Sequence, residues 1–303
     1  MIILGLTMEL CTIYQCIPCY RPAPTIRLIR SLLRTNCKIL LDIEDSIQDV
    51  QDPSLNVQFK ARARKDLIEI ITSFPGQTFE IRINSLASAE YEKDIQLLRE
   101  YEEHFTAVFL PKVENRSALN EFCRVFDGKL RINPIIESKT GIESLDDILL
   151  SEYAQQINYI FFGNYDYHLD TGRYPIIEQC DDRYWDTVKP IIRAVEQNNI
   201  SFGNSPYADL ADEHGLLYAI YQLRQACQRP FAMMSLHKTQ TNYLLSHAEE
   251  FPSMSPFSNA SMRMADSIES FTNQKLKGRS FALQNQRIIT PHEFLLLQKA
   301  AYG

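Results

Sequence analysis

Eight short apolar runs recur along the chain with helical patterns between most of them, and this alternation leaves few folds open. The runs are CTIYQCIP, KILLDIE, TFEIRIN, AVFLPK, RINPIIE, YIFFG, ISFGNSP and FAMMSL. Between them lie amphipathic stretches such as APTIRLIRSLLRT, FKARARKDLIEIITSF, EYEKDIQLLREYEEH, RSALNEFCRVF, ESLDDILLSEYAQQ, DTVKPIIRAVEQNN and DEHGLLYAIYQLRQAC. A strand, a helix and a further strand make a parallel crossover unit. Eight such units close into a (β/α)8 TIM barrel. The expected architecture is α/β: a barrel over residues 1–240, then a helical C-terminal extension over residues 241–303.

Carboxylates stand at the ends of several of these runs. Glu44 and Asp45 close KILLDIED, Glu137 closes RINPIIE, and Asp166 follows YIFFG. Acidic residues are poor strand formers and are costly to bury alone. On parallel strands these acids converge at one barrel mouth, where hard oxygen ligands suit Mg²⁺.

The basic residues are dispersed and the net charge is −7, which argues against a nucleic-acid surface. No apolar run approaches the roughly 18 residues of a membrane span. The opening MIILGLTMELCTIY lacks the basic start of a signal peptide and contains Glu9. Seven scattered cysteines, an odd number, favour reduced thiols in a cytoplasmic protein. Cys16 and Cys19 form a lone CxxC without a second pair, so they read as partly buried thiols at a strand end. After residue 240 a Pro/Ser-rich loop leads to FALQNQRIITPHEFLLLQKAAYG, a short strand-like piece and then a helix with Pro291 near its start. Such a segment is too short for its own core and is expected to pack beside the barrel or reach a neighbouring subunit.

Six motifs in order, LDIEDSI, KARAR, RIN, FLPKVE, PIIESKTGI and FFGNYDYHLDTG, with a weaker MSLHKTQ, resemble the HpcH/HpaI aldolase and citrate lyase beta-subunit group. The resemblance implies a barrel that uses Mg²⁺ to make or break a carbon–carbon bond next to a carbonyl. It implies substrates that are keto or hydroxy acids or acyl thioesters such as CoA esters. It also implies a homo-oligomer, a trimer or a hexamer.

By the same resemblance, Glu137 and Asp166 are the metal ligands, although Glu137 alternatively caps the helix after it. Arg82 grips the substrate's carboxylate or reacting carbonyl, for which a guanidinium suits two-point binding. Its alternative is a salt bridge to Glu44 or Glu80. Glu44 and Asp45 order waters on the metal, and Asp45 alternatively caps a helix. Lys112 is an ion-pair partner of the acids rather than a Schiff-base lysine. Arg21, Asn204 and His237 are the further substrate-binding candidates, with Ser205 beside Asn204. His237 alternatively plays a structural part with Gln240, and His168 is expected on a solvent-facing loop. The expected step is an aldol or Claisen-type cleavage, with Arg82 steadying the enolate and a water ordered by Glu44 and Asp45 as the candidate base.

The tail departs from the group, since Thr290 stands where a catalytic Asp is expected and Asp266 and Glu293 align poorly. Lys238 also replaces the usual proline after His237. Two other readings stay open: a thioester hydrolase or synthase on the same metal site, and a non-catalytic barrel used for binding or assembly.

Overall fold

The computed structural model describes residues 11–126, 128–247, 264–275, 281–284 and 286–302. Eight parallel strands form a closed barrel in chain order, with β8 pairing back to β1. They are β1 (Cys11–Pro18), β2 (Lys38–Asp42), β3 (Phe79–Arg82), β4 (Phe105–Leu110), β5 (Arg131–Ile136), β6 (Tyr159–Phe162), β7 (Ser201–Asn204) and β8 (Phe231–Ser235). All eight expected strands are present.

The crossover helices are α1 (Pro22–Leu32), α2 (Asn56–Thr72), α3 (Tyr91–Glu100), α4 (Arg116–Val125), α5 (Lys139–Glu143), α6 (Leu145–Leu149), α7 (Asn164–Thr171), α8 (Asp182–Gln197) and α9 (Glu213–Ala226). After β8 comes α10 (Lys238–Ser246). The stretch 143–156, expected as one helix, is broken between α5 and α6 at Ser144 and ends in a 3-10 turn. The helix α7, which carries Asp166, was not expected.

Each strand buries both faces, which is why the runs read as continuously apolar. Leu40, Phe109, Ile135 and Phe161 pack inside the barrel with Tyr14, Cys16, Ala232 and Met234. Their neighbours Ile39, Leu41, Val108, Ile136 and Phe162 face the helices in the larger cluster. Tyr14 and Phe109 meet edge to face at 5.2 Å, and Phe109 lies 4.9 Å from Phe161. Gly203 makes room for the Phe161 ring, which a Cβ at that position would approach to 2.6 Å.

This alternation positions the site. Two residues beyond inward-facing Leu40 stands Asp42, and two beyond Ile135 stands Glu137. Strand pairing sets Asp42 directly opposite Arg82.

The described part of the tail crosses the mouth of its own barrel. Helix α11 (Met264–Lys275) leads to a hairpin of β9 (Ala282–Gln284) and β10 (Arg287–Ile289), then to α12 (Pro291–Tyr302). The hairpin bonds the β7–α9 loop through Leu210 N–H to Gln286 O and Ile288 N–H to Ala208 O, both 2.9 Å. Phe271 stacks on Phe294 at 4.3 Å. Arg287 reaches Glu293 at 2.7 Å and Glu178 at 3.0 Å, tying the hairpin to α12 and to the barrel.

No helix among the described residues is long and apolar enough to cross a membrane. All seven cysteines are described and none is in a disulfide. Cys16 and Cys19 are almost fully buried, deeper than the partly buried thiols expected at the end of a strand. Glu9 and the side chain of Asp266 lie outside the described residues.

Candidate active site at the barrel mouth

A cavity of about 160 Å³ opens at the C-terminal ends of the strands. Asp42, Asp45, Arg82, Glu137, Asp166 and His292 line it, with an apolar wall of Ile135, Phe161, Met234 and Leu236. An engineered cavity of roughly 150 Å³ holds a benzene ring, so the space suits a small organic acid.

Local turns place the acids. Beyond β2 the chain bends because Asp42 accepts from the Glu44 N–H at 2.9 Å and from the Ser46 hydroxyl. Lys60 fixes the same turn from α2 through the carbonyls of Ile43 and Glu44. Glu44 in turn accepts from the Asp45 N–H at 2.8 Å. No helix begins there, so Asp45 is not a helix cap; its Oδ1 accepts from Gln48 instead. Nor does Glu137 cap α5, because Ser138 does so by accepting from Gly141 N–H. Glu137 instead accepts from the Lys112 N–H at 2.9 Å, where Lys112 takes the left-handed conformation with φ 55°. Gly163 is the residue that admits the Glu137 side chain: a Cβ there would lie 2.3 Å from Glu137 Oε2.

Two cations bridge the two aspartates from opposite sides. Lys112 Nζ lies 3.6 Å from Asp45 Oδ1 and 3.4 Å from Asp166 Oδ1, and also 3.1 Å from Glu44. His292 Nε2 lies 3.2 Å from Asp45 Oδ2 and 3.2 Å from Asp166 Oδ2. Burial and Asp166 work to raise the Asp45 carboxyl, but Lys112 and His292 outweigh them and hold it at about 2. Asp166 is likewise held at about 2, because His292 and Lys112 outweigh its burial. For Glu137, burial together with Asp166 outweighs Lys112 and pushes it well above the usual carboxylate range. Burial disfavours charge on Lys112 and His292, yet the surrounding carboxylates raise both above their ordinary values.

Arg82 sits beside this cluster. Its Nε and Nη2 donate to Asp42 at 2.8 and 2.6 Å, and its Nη1 lies 3.5 Å from Glu44. The expected two-point grip on substrate therefore needs correction. The two-donor edge is held by Asp42, a partner the sequence reading missed, and Nη1 lies toward Glu44. Glu80 lies deeper in the barrel, bonded to Tyr14 and Asn133.

Several candidates fall elsewhere. Asn204 is wholly buried, its amide bonded to the Tyr184 hydroxyl and Gln179, so it has no free group for substrate. Ser205 lines the cavity, but its hydroxyl donates to Phe162 O and accepts from Asn164 N–H. Arg21 stacks on Tyr20 at 4.8 Å and lines a separate groove with Asp49, Phe59, Arg62 and Phe271. His237 caps α10 by accepting from Thr239 N–H, and Gln240 donates to Tyr207 O. His168 is not on an exposed loop. It is buried in α7, with Nδ1 at Asn164 O and Nε2 accepting from Ile177 N–H. Thr290 lines the mouth and accepts from Glu293 N–H, while Glu293 pairs with Arg287.

The residues present fit a divalent cation. Asp45 Oδ2 is buried, with His292 Nε2 beside it at 3.2 Å. One oxygen each of Asp45 and Asp166, with a nitrogen of His292, lie within 4.8 Å of one another.

The comparisons agree on the fold. The citrate lyase beta subunit of M. tuberculosis, complexed with oxaloacetate and magnesium, superposes with TM-score 0.60 at 17% identity, covering 80% of this chain and 100% of that one. The Haloferax volcanii malate synthase pyruvate/acetyl-CoA ternary complex gives TM-score 0.71 at 14% identity, covering 98% and 90%. The CitE protein of Mycobacterium tuberculosis with magnesium, acetoacetate and coenzyme A gives 0.61 at 15% identity, covering 96% of each chain. Identities this low speak for the barrel alone. A search of curated proteins returns no match. The family pattern, however, matches residues 35–228, more than half of the sequence and all the strands from β2 to β7. The chain belongs to the HpcH/HpaI aldolase/citrate lyase family.

Proposed function

We propose that this protein is a Mg²⁺-dependent carbon–carbon lyase or aldolase acting on a small carboxylated hydroxy acid, free or as a thioester of CoA or another carrier. One observation carries the reading: Glu137, Asp166 and Asp45 meet beside Arg82 in a single cavity sized for a small acid. The structural relatives complexed with oxaloacetate, acetoacetate or pyruvate support keto acids as the product class. Glu137 and Asp166 hold the cation, with Asp45 beside them. When bound, that ion supplies Lewis acidity toward the carbonyl or carboxylate oxygens of the substrate.

The chain's own groups do the rest. A water ordered by Glu44 and Asp45 accepts the substrate's hydroxyl proton. The hydroxyl carbon becomes a carbonyl as the carbon–carbon bond breaks, and the bonding pair passes to the other fragment as an enolate. Arg82 Nη1 answers the charge on the enolate oxygen. Lys112 keeps Asp45 and Asp166 ionised, and the apolar wall excludes bulk water. The enzyme works in the cytoplasm as a homo-oligomer, a trimer or hexamer, on this reading.

Calorimetry tests it: Mg²⁺ binding with and without pyruvate, oxaloacetate or acetoacetate, on the wild type and Glu137→Ala. Binding that a keto acid strengthens and the substitution abolishes is expected, followed by keto-acid release in a lyase screen. Thioester cleavage without keto-acid release favours a hydrolase or synthase. Absence of Mg²⁺ binding by the wild type sinks the lyase and favours the binding module, in which Lys112 and His292 serve as permanent counter-ions.

A further inference from the structure

The cavity at the mouth has two unlike halves, set by the strands that supply them. In the closed barrel β2 to β6 are consecutive, and so are β7, β8 and β1. The barrel's charged side chains in the lining come from the first group: Asp42 and Asp45 at the end of β2, Arg82 from β3, Glu137 after β5 and Asp166 after β6. The second group supplies none. From β7 round to β1 the lining is Pro206, Met234, Leu236 and Cys16, with Ser205, whose hydroxyl is already bonded to Phe162 O and Asn164 N–H. The tail extends this wall with Phe281 and Ile288, while its histidine, His292, is turned to Asp45 and Asp166. Leu236 packs both against the cluster that holds Met234 and Phe161 and against the one that holds Ile288 and Tyr165, so the apolar surface is continuous. Phe281 is 37% exposed, an aromatic ring with area to spare at the mouth.

Among the described residues that line the cavity the cations are Arg82 and His292, and each already faces two carboxylates. A carboxylate laid on the apolar half would lose its water and meet no cation there, which is costly. An aliphatic or aryl group gains from the same burial. We propose that the substrate has one charged end and one apolar end: it is a hydroxy acid with a single carboxylate and an aliphatic or aryl group, and Met234, Leu236 and Phe281 set the specificity against dicarboxylates. The inference rests on the reading that the mouth binds a small acid. The carboxylate end lies toward Arg82 and Glu137, and the apolar group lies along β8 and the hairpin.

Calorimetry on the full-length protein with Mg²⁺ present tests this with three keto acids: pyruvate, 4-methyl-2-oxopentanoate and 2-oxoglutarate. The last two have the same chain length and end in an isopropyl group or a carboxylate. The wild type is expected to bind 4-methyl-2-oxopentanoate at least about 10-fold more tightly than 2-oxoglutarate, within the range that an apolar pocket discriminates. Leu236→Arg, checked for folding by circular dichroism, brings a cation to the apolar half and is expected to shift that ratio toward 2-oxoglutarate by about 10-fold or more. Phe281→Ala is expected to weaken 4-methyl-2-oxopentanoate more than pyruvate. If Leu236→Arg does not fold, the wild-type ratio and Phe281→Ala decide. Wild-type binding of 2-oxoglutarate as tight as that of 4-methyl-2-oxopentanoate, or tighter, overturns the inference and leaves the small-acid reading standing, as does a preference that neither substitution moves. Failure of all three keto acids to bind overturns both.

Discussion

Asp42 and Arg82 face each other across the β2–β3 ladder, in register and joined by two hydrogen bonds of 2.8 and 2.6 Å. Asp42 is wholly buried, so this pair is part of the barrel's interior as much as of its mouth. The same aspartate accepts from Glu44 N–H, which starts the turn that presents Glu44 and Asp45. One carboxylate therefore holds both the arginine and the acidic loop.

Replacing Asp42 by Asn strips the buried guanidinium of its charge partner. Breaking a buried pair from one side costs roughly 3–5 kcal/mol. Urea unfolding of Asp42→Asn is expected to show a loss of that order, and Asp42→Ala at least as much. A loss under about 1 kcal/mol would mean that the pair is no stronger than a surface salt bridge.

Gly163→Ala tests the space behind Glu137. The added methyl would sit 2.5 Å from Glu137 Cβ, so the carboxylate must move. Overpacking of this kind costs about 1–3 kcal/mol. The variant should stay folded and lose divalent-cation affinity by about 10-fold or more. Unchanged affinity in calorimetry would show that Glu137 does not need its present place.

The tail's anchor responds to pH. Burial, only partly offset by Arg287, pushes Glu178 from 4.5 up to about 7. A carboxyl raised on folding contributes stability that is fully present below 4.5 and lost as pH rises through about 7. The displacement corresponds to about 3 kcal/mol at most. Wild-type stability is expected to fall between pH 5 and 8, and Glu178→Gln should flatten that slope. A wild-type profile that is level or rises over this window would refute the assignment.

Arg287→Ala leaves Glu178 and Glu293 without their shared cation. Hydrogen exchange in residues 282–300 should speed up more than in the barrel strands, because the strap loosens before the core. Equal exchange rates in variant and wild type would mean that the apolar contacts of Phe294 and Ile288 hold the tail by themselves.

The barrel was legible in the sequence because strands buried on both faces cannot hide their apolar runs, and all eight stand where those runs lie. Lys112 as the counter-ion of the acids was legible too, since a lysine at the end of an apolar strand faces the same mouth. Asp42 was missed although the signal was there: it lies two residues beyond inward-facing Leu40, and strand alternation turns it inward. His292 left no local signal. Its place depends on how the hairpin docks, a tertiary matter that no spacing encodes. Helix α7 was overlooked because NYDYHLDT is poor in strong helix formers, and with it went the burial of His168. Arg21 and Asn204 carried suitable chemistry at strand ends, but α1 begins at a separate groove and Tyr184 reaches Asn204 from inside.

The order of synthesis bears on the tail that crosses the mouth. A chain emerging from the ribosome exposes all eight strands before His292 and the hairpin that carries it exist. Domains fold as they appear, so the barrel can close around Asp42 and Arg82 while its mouth still lies open to water and ions. His292 thus reaches Asp45 and Asp166 only after every strand of the barrel has been made, and a chain stopped before it would leave those two carboxylates to Lys112.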